Sequence, residues 1–229
     1  MKPSPLARRL RHVPSLAHAL IYTCEAQTEL SDIPEVKAAA SELLELSDEQ
    51  GLVQPQASGM LFFGWALALS GDAEEGITWL EQGLGTLSRM GARGHVTHFL
   101  CLMAEALLSA GHYAEGLSHV TRALDLSAEI GEQWFAPRLH WVRAELLIHL
   151  HGSGEEAVEA NLQQAISVAR HLEAKGWELP AVTSLARLWA DRGRRSEACE
   201  LLAPVYEWST EGFDTPHLQE AKSLLDALA

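Results

Sequence analysis

Two glutamates have the residue type and spacing that come nearest to catalysis. Glu105 and Glu145 occupy the same position in successive units of a repeated pattern, and two carboxylates held close together can act as general acid and base. The alternative is a charged groove, or ion pairs with residues such as Arg143 and Arg187. No nucleophile, oxyanion donor pair or cofactor motif accompanies the glutamates, so the sequence favours this alternative and predicts no catalytic residue and no enzyme.

Histidines are the other side chains whose spacing could do chemistry, in this case the binding of a metal ion. His95 and His98 are three positions apart and share one face of a helix, whereas His149 and His151 are two apart and point to different sides. No HExxH motif occurs, and no third ligand is fixed by spacing. We therefore expect solvated or partly buried imidazoles, and neither a metal nor an organic cofactor.

Composition narrows the classes of partner. The 229 residues include 17 Lys or Arg and 31 Asp or Glu, which gives a net charge of −14. Phosphate binding needs a basic surface, so no nucleic-acid partner is expected. No apolar run approaches the roughly 20 residues that cross a bilayer, so no membrane partner is expected either. Cys24, Cys101 and Cys199 lie far apart with no CxxC pair, which predicts three buried thiols in a reducing cytoplasm.

The elements that would position these residues follow from two interleaved series of glycines. Each series recurs about every 40 residues, and the second has one longer interval before its last member. A repeated glycine is typical of helix C-termini, where φ is commonly positive. The two series together predict a helix–turn–helix unit that is used about five times. One series is Gly71, Gly111, Gly152 and Gly193, with Ser31 at the equivalent earlier position; the other is Gly51, Gly91, Gly131 and Gly176.

Between the glycines, apolar residues recur at spacings of three and four, which indicates α-helices throughout. Alternation with period two is nowhere sustained, so no strand is expected. The predicted helices are 15–30, 33–50, 54–70, 73–90, 94–110, 113–129, 132–150, 154–174, 177–192, 195–208 and 216–228. Three of them begin with a capping residue followed three positions later by Glu, namely Asp32 with Glu35, Asp72 with Glu75 and Ser153 with Glu156.

The chain divides into three segments by composition. Residues 1–14 are a basic leader with Lys2, Arg8, Arg9 and Arg11, which we expect to be poorly ordered. Residues 15–208 hold the helical repeats. Residues 209–229 are a linker and a final helix, apolar on one side, that caps the stack.

The repeat unit at residues 102–117, followed by Ala123 and Leu124, resembles a tetratricopeptide repeat. Small residues stand where the two helices of such a unit pack closely. They are Ala104, Gly116 and Ala123 in this unit, and Gly64, Gly76 and Gly83 in the preceding one. The unit departs from the family in its longer period, about 40 rather than about 34, and in lacking the proline that ends each repeat.

The C-terminal portion is similar to the tail of large bacterial signalling proteins of the maltose-regulator type. In these proteins a regulatory ATPase, often preceded by a nucleotide cyclase, leads into tetratricopeptide-like repeats. The resemblance rests on residues 184–189, 200–208, 210–215 and 218–222 and extends over about residues 15–229. No Gly-rich stretch ends in Gly-Lys-Ser/Thr, so neither activity can be assigned to residues of this chain.

The resemblance implies that the first helix of each unit lines a concave surface. The recurring row there would be Trp65, Glu105, Glu145 and Arg187, flanked by Phe62, Leu69 and His98. Arrays that grip C-terminal carboxylates carry Lys and Asn in this row, and this chain has neither. An apolar or amphipathic helix is therefore the favoured ligand, although Trp65 would also serve simply by packing between units.

These observations predict an all-α fold of about five tetratricopeptide-like hairpins in a right-handed superhelical solenoid with a C-terminal capping helix. The predicted function is a cytoplasmic, non-catalytic interaction module in bacterial signalling that binds a peptide, partner helix or sister domain on its concave face. Two alternatives stay open at this point. One is a small-molecule sensor that regulates an ATPase or cyclase parent or neighbour, and the other is a homo-oligomerisation scaffold.

Overall fold

A computed structural model describes residues 9, 12–92, 94–152 and 156–228. Within these residues the chain forms eleven α-helices and no strand. Each agrees with a predicted helix to within a few residues at both ends. The helices are α1 (Val13–Glu29), α2 (Ile33–Gln50), α3 (Val53–Leu69), α4 (Ala73–Arg89), α5 (Val96–Ala110), α6 (Tyr113–Ile130), α7 (Ala136–His151), α8 (Glu156–His171), α9 (Lys175–Asp191), α10 (Arg195–Glu207) and α11 (Pro216–Leu228).

The helices form two compact units, one up to His112 and the other from Tyr113 onward. In unit 1, α3 packs against α4 and also against α1, α2 and α5, so most of its apolar residues are buried. In unit 2, α9 packs against α7, α8, α10 and α11. Each unit thus has a central first helix surrounded by its neighbours, which is how stacked hairpins bury faces that no single hairpin can hide.

Glycine turns end most of the helices, as predicted. Gly51, Gly71 and Gly111 have φ of 67°, 108° and 81°, the left-handed region in which a Cβ is disfavoured. Ser31 adopts a φ of 54° at the position equivalent to Gly71. The prediction for Gly176 is wrong, because Glu173 takes the positive φ of 55° in that turn and Gly176 lies inside α9.

The predicted helix caps have mixed outcomes. The carboxylate of Asp32 accepts a hydrogen bond from the backbone N–H of Glu35 at 3.2 Å, which confirms the first cap. Asp72 makes no side-chain cap. Ser153 lies outside the described residues.

One helix boundary predicted from the sequence differs from the structure by four residues. Helix α7 begins at Ala136 rather than at residue 132, because Pro137 in its first turn sets the start of the helix. The predicted leader falls mostly on positions 1–8, 10 and 11, which lie outside the described residues, and Arg9 is exposed. The final helix α11 buries Leu218, Ala221 and Leu228, as its apolar stripe predicts.

Small residues bring α3 and α4 into backbone contact. A Cβ added to Gly64 would lie 2.6 Å from the carbonyl oxygen of Gly76, and one added to Gly76 would lie 2.6 Å from the backbone nitrogen of Ala68. These distances are well inside van der Waals contact. Gly64 and Gly76, which the sequence places between these paired helices, are therefore required by the packing.

Among the described residues, no helix has both the length and the apolar character needed to cross a membrane.

Candidate interaction site

An indole–carboxylate hydrogen bond joins two first helices in unit 1. Nε1 of Trp65 on α3 donates to Oε2 of Glu105 on α5 at 2.6 Å. The two residues are only 1% and 7% exposed. The thiol of Cys101, one turn before Glu105, lies 3.9 Å from the other carboxylate oxygen. Equivalent positions of successive repeats thus meet directly, and the contact fixes the register of α3 on α5.

Aromatic packing surrounds this hydrogen bond. The ring of Phe62 lies 5.9 Å from that of His98 and 5.6 Å from that of Phe99. Phe62 and His98 are both fully buried, whereas Leu69, at the end of α3, is half-buried. Four of the seven predicted partner-binding residues are therefore part of the protein's interior, where aromatic side chains fill the space between these long helices. They are Phe62, Trp65, His98 and Glu105.

In unit 2, the corresponding first helices carry a hydrogen-bonded chain that is partly open to solvent. Nε1 of Trp141 on α7 donates to Oγ of Ser184 on α9 at 3.0 Å. The hydroxyl of Ser184 in turn donates to Oε1 of Glu145 at 2.6 Å. Trp141 and Glu145 are both half-buried. Here a serine is inserted between indole and carboxylate, and the network reaches the surface.

The same surface continues onto α11. Arg187 on α9 donates to Oε1 of Glu220 at 2.7 Å, and these side chains are 46% and 47% exposed. The ring of His217 stands edge-on to Trp141, with 5.9 Å between centroids. We call this surface the first-helix face of unit 2. It consists of Trp141, Glu145, Ser184, Arg187, His217 and Glu220.

Sequence reasoning missed four members of this face, namely Trp141, Ser184, His217 and Glu220. Ser184 follows Glu145 by almost one full repeat, so the repeat period indicates that the two residues lie on neighbouring first helices. His217 and Glu220 belong to α11, which the sequence identifies as a cap. The structure shows that α11 also packs on α9 in the place that a further first helix would take.

The residues considered for chemistry are occupied by structural contacts. Glu105 and Glu145 lie in different units and each is hydrogen-bonded within its own unit. Nδ1 of His95 lies 3.1 Å from the carboxylate of Glu25, and Nδ1 of His149 lies 2.9 Å from the carbonyl oxygen of Glu145. Among the described residues, no three His, Cys, Asp or Glu side chains are grouped as metal ligands would be.

The cysteines also differ slightly from expectation. Cys24 and Cys101 are buried, but Cys199 is half-buried, and none of the three forms a disulfide among the described residues. Burial raises the pKa of the Cys24 thiol to about 12, with the charge of Glu25 adding to the effect. This thiol is therefore protonated and unreactive at neutral pH.

A buried carboxylate in unit 2 escaped sequence reasoning entirely. The side chain of Glu178 is 2% exposed and accepts hydrogen bonds from Nε of Arg170 at 2.7 Å and Nζ of Lys175 at 2.6 Å. Burial alone would raise the pKa of Glu178, but the two hydrogen bonds and positive charges outweigh it and hold the pKa below its ordinary value. The ion pair between Arg170 and Glu178 joins the end of α8 to the start of α9.

Comparison with protein families supports the repeat type. A family model described as tetratricopeptide repeat matches residues 180–204, which span the α9–α10 hairpin. An uncharacterized protein of Rhizobium meliloti (strain 1021) is 25% identical over 186 residues, which cover 81% of this chain and 18% of that protein. The chain therefore spans about one fifth of the length of the curated relative it matches.

Solved structures show the fold over nearly the whole chain. A Rap protein complexed with competence and sporulation factor superposes with a TM-score of 0.69 at 14% identity, covering 93% of this chain and 64% of that one. BtubC from P. vanneervenii gives 0.61 at 13% identity, covering 88% of this chain and 89% of that one. A putative kinesin light chain with TPR-like repeats gives 0.56 at 15% identity, covering 82% and 92%. The fold of this chain is a helical repeat of the tetratricopeptide type.

Proposed function

We propose that this chain is a non-catalytic interaction module that holds a peptide, a partner helix or a sister domain against its first helices. Helical repeats of this type commonly serve protein interaction, because stacked hairpins offer an extended surface while each contacts only its neighbours. The observation that carries the proposal is the first-helix face of unit 2, where Trp141, Glu145 and Arg187 reach solvent on neighbouring helices.

The predicted partner-binding residues divide into two roles in this proposal. Glu145 and Arg187 are accessible on the first-helix face of unit 2 and would contact a partner directly. Leu69, at the end of α3 in unit 1, is half-buried and lies outside this face. The other four, Phe62, Trp65, His98 and Glu105, are buried and would support the helices from beneath. Their effect on binding would be indirect, through the register of α3 and α5.

The ion pair on the face favours exchange with a partner. Arg187 and Glu220 are each about half exposed, and an ion pair of this kind contributes only about 0–1 kcal/mol. Opening the ion pair therefore costs little free energy. Arg187 and Glu220 can then each bind an opposite charge on a ligand. Trp141 beside them supplies apolar area, so an amphipathic segment with charges of both signs fits this surface best.

The wider setting of the proposal is a bacterial signalling protein in the cytoplasm. A curated relative from Rhizobium meliloti is more than five times as long as the matched segment, which covers 18% of it, and this supports a repeat region inside a larger protein. The structurally similar Rap protein is complexed with a competence and sporulation factor. In such a setting, partner binding on the first helices would be passed to an ATPase, a cyclase or another neighbouring domain.

The experiment compares two charge-swapped variants as bait in the native cell. The face variant is Glu145→Lys with Arg187→Glu. The control variant is Glu115→Lys with Arg122→Glu, on the exposed side of the second helix α6 in the same unit. Both variants leave the net charge unchanged.

We expect wild type and control to capture the same protein, and the face variant to lose it while retaining wild-type circular dichroism. Equal capture by all three baits would contradict the proposal. Light scattering of wild type alone separates this role from a homo-oligomerisation scaffold, whose mass would rise with concentration without any ligand.

A further inference from the structure

A second candidate binding site lies in unit 2, away from the first-helix face. A cavity of about 480 Å³ opens between α6, α7 and α8, within the size range of small-molecule sites. Among the described residues, none that lines it is Asp, Glu, Lys or Arg, which is unusual for a protein with a net charge of −14. The lining residues are Leu124, Ser127, Ala128, Gly131, Gln133, Ala136, His140, Gln164, Ser167, Val168 and His171.

Hydrogen bonds behind the cavity fix the state of His140. The amide of Asn161 donates through Nδ2 to the carbonyl oxygen of Ala157 at 2.8 Å, so its Oδ1 faces Nδ1 of His140 at 3.2 Å. An oxygen accepts, so the proton of the imidazole must lie on Nδ1. Nε2 then carries a lone pair, which can accept a hydrogen bond from a ligand in the cavity that His140 lines.

Electrostatics keep this imidazole neutral. Burial lowers the pKa of His140 below its ordinary value, and the nearby charge of Arg143 lowers it further, against the hydrogen bond to Asn161, which raises it. The ring is therefore uncharged near neutral pH and stays an acceptor at Nε2.

Three further polar residues of the lining add donors and acceptors. The hydroxyl of Ser127 donates to the carbonyl oxygen of Glu132, so it can only accept from a ligand. Gln133 and Gln164 each offer both a carbonyl oxygen and an N–H donor. Leu124 and Val168 supply apolar walls against which a flat group can pack.

We propose that this cavity binds a small uncharged molecule that presents a carboxamide or an equivalent pairing of an N–H donor with a carbonyl acceptor. His140 and Ser127 accept from the donor, and the amide of Gln164 donates to the carbonyl. The lone pairs of a carboxylate ligand would repel the lone pairs of His140 and Ser127. A cationic ligand would meet walls that offer no carboxylate to balance its charge, and it would lie near the charge of Arg143. This site is independent of the proposed function, since it uses no residue of the first-helix face.

The test uses three probes of nearly equal shape and different charge, with the full chain. Benzamide is neutral, benzoate is an anion and benzamidine is a cation. Binding is measured by ligand-observed NMR and by competition among the three probes. We expect benzamide to bind with a Kd on the order of 1 mM, typical of so small a ligand, and the charged probes at least about tenfold more weakly.

Variants locate the binding. Gln164→Leu, at an exposed position that should not disturb folding, and His140→Phe each weaken benzamide binding at least about tenfold, the effect of losing one good hydrogen bond. Gln163→Leu, the neighbour of Gln164 outside this cavity, leaves binding unchanged. No detectable benzamide binding at about ten times the expected Kd would overturn the proposal. So would equal binding of all three probes, or binding that both cavity variants retain.

Discussion

Single residues in this protein act mainly through buried polar contacts. The hydrogen bond between Trp65 and Glu105 joins helices that lie far apart in sequence. A carboxylate buried to this extent requires donors that stay in place. The contact therefore specifies how α3 sits on α5, in addition to any stability that it contributes.

Replacing the indole tests this role. Trp65→Phe keeps an aromatic ring but removes the N–H that Glu105 accepts, so we expect the free energy of unfolding in urea to fall by about 1.5–3 kcal/mol. Glu105→Gln retains an acceptor oxygen for the indole and should cost less. A Trp65→Phe variant as stable as wild type, or a larger loss in Glu105→Gln, would show that the bond does not hold the helices.

Glu178 predicts how stability depends on pH. Its pKa in the folded protein lies below the ordinary value, so its contribution is present above the unfolded-state pKa of about 4.3 and is lost as pH falls through the folded-state pKa. We expect the free energy of unfolding to decline more steeply in wild type than in Glu178→Gln below about pH 4.3. Urea titrations at a series of pH values measure the difference, and parallel curves would contradict it.

For single residues, the sequence predicted the position of a residue in the repeat better than its burial and its contacts. The repeat spacing correctly put Trp65 and Glu105 at equivalent places in successive units. Whether such positions face solvent depends on how closely the next helix packs, which the spacing does not contain. Glu178 was missed for the same reason, because Arg170 and Lys175 reach it only after α8 and α9 have paired.

Individual helices and turns were the most predictable level of this structure. Glycines in the left-handed conformation occur at the helix ends because other residues are strained in that conformation. The recurrence of glycine in the sequence therefore predicted where most helices end. The turn before α9 shows the limit of that argument. Glu173 accepts the positive φ that the series assigned to Gly176, because tertiary contacts can override a local preference.

Close packing of α3 on α4 gives a prediction with an internal control. Gly76→Ala places a Cβ against the backbone of α3 and should lower the free energy of unfolding by at least about 1–3 kcal/mol. Gly85→Ala lies in the same helix, where the nearest atom to a new Cβ is the end of the Arg89 side chain at 3.6 Å. That variant should raise stability by about 0.5–1 kcal/mol. Urea denaturation measures both changes, and equal effects of the two substitutions would refute the close contact.

Across the whole molecule, the repeat pattern predicted the fold class but could not show how the chain's contacts are distributed. The glycine series runs through position 112 without interruption, yet the contacts group into two compact units on either side of it. The first helices also differ between the units. The indole–carboxylate contact is buried in unit 1 and partly open in unit 2, where Ser184 is inserted and α11 adds Glu220.

The interaction site was therefore only partly predictable. Glu145 and Arg187 follow from the repeat register, and both are accessible. The contribution of α11 to the same face could not be read from its sequence, since an amphipathic terminal helix serves equally well as a cap alone.

Amide hydrogen exchange of the full chain, with and without the captured partner, tests the central proposal most directly. If the partner binds the first-helix face of unit 2, added protection should appear in α7, α9 and α11 and be absent in the Glu145→Lys, Arg187→Glu variant at the same partner concentration. The second helices α6 and α10 should exchange as before. Protection confined to those second helices, or unchanged in the variant, would contradict the account.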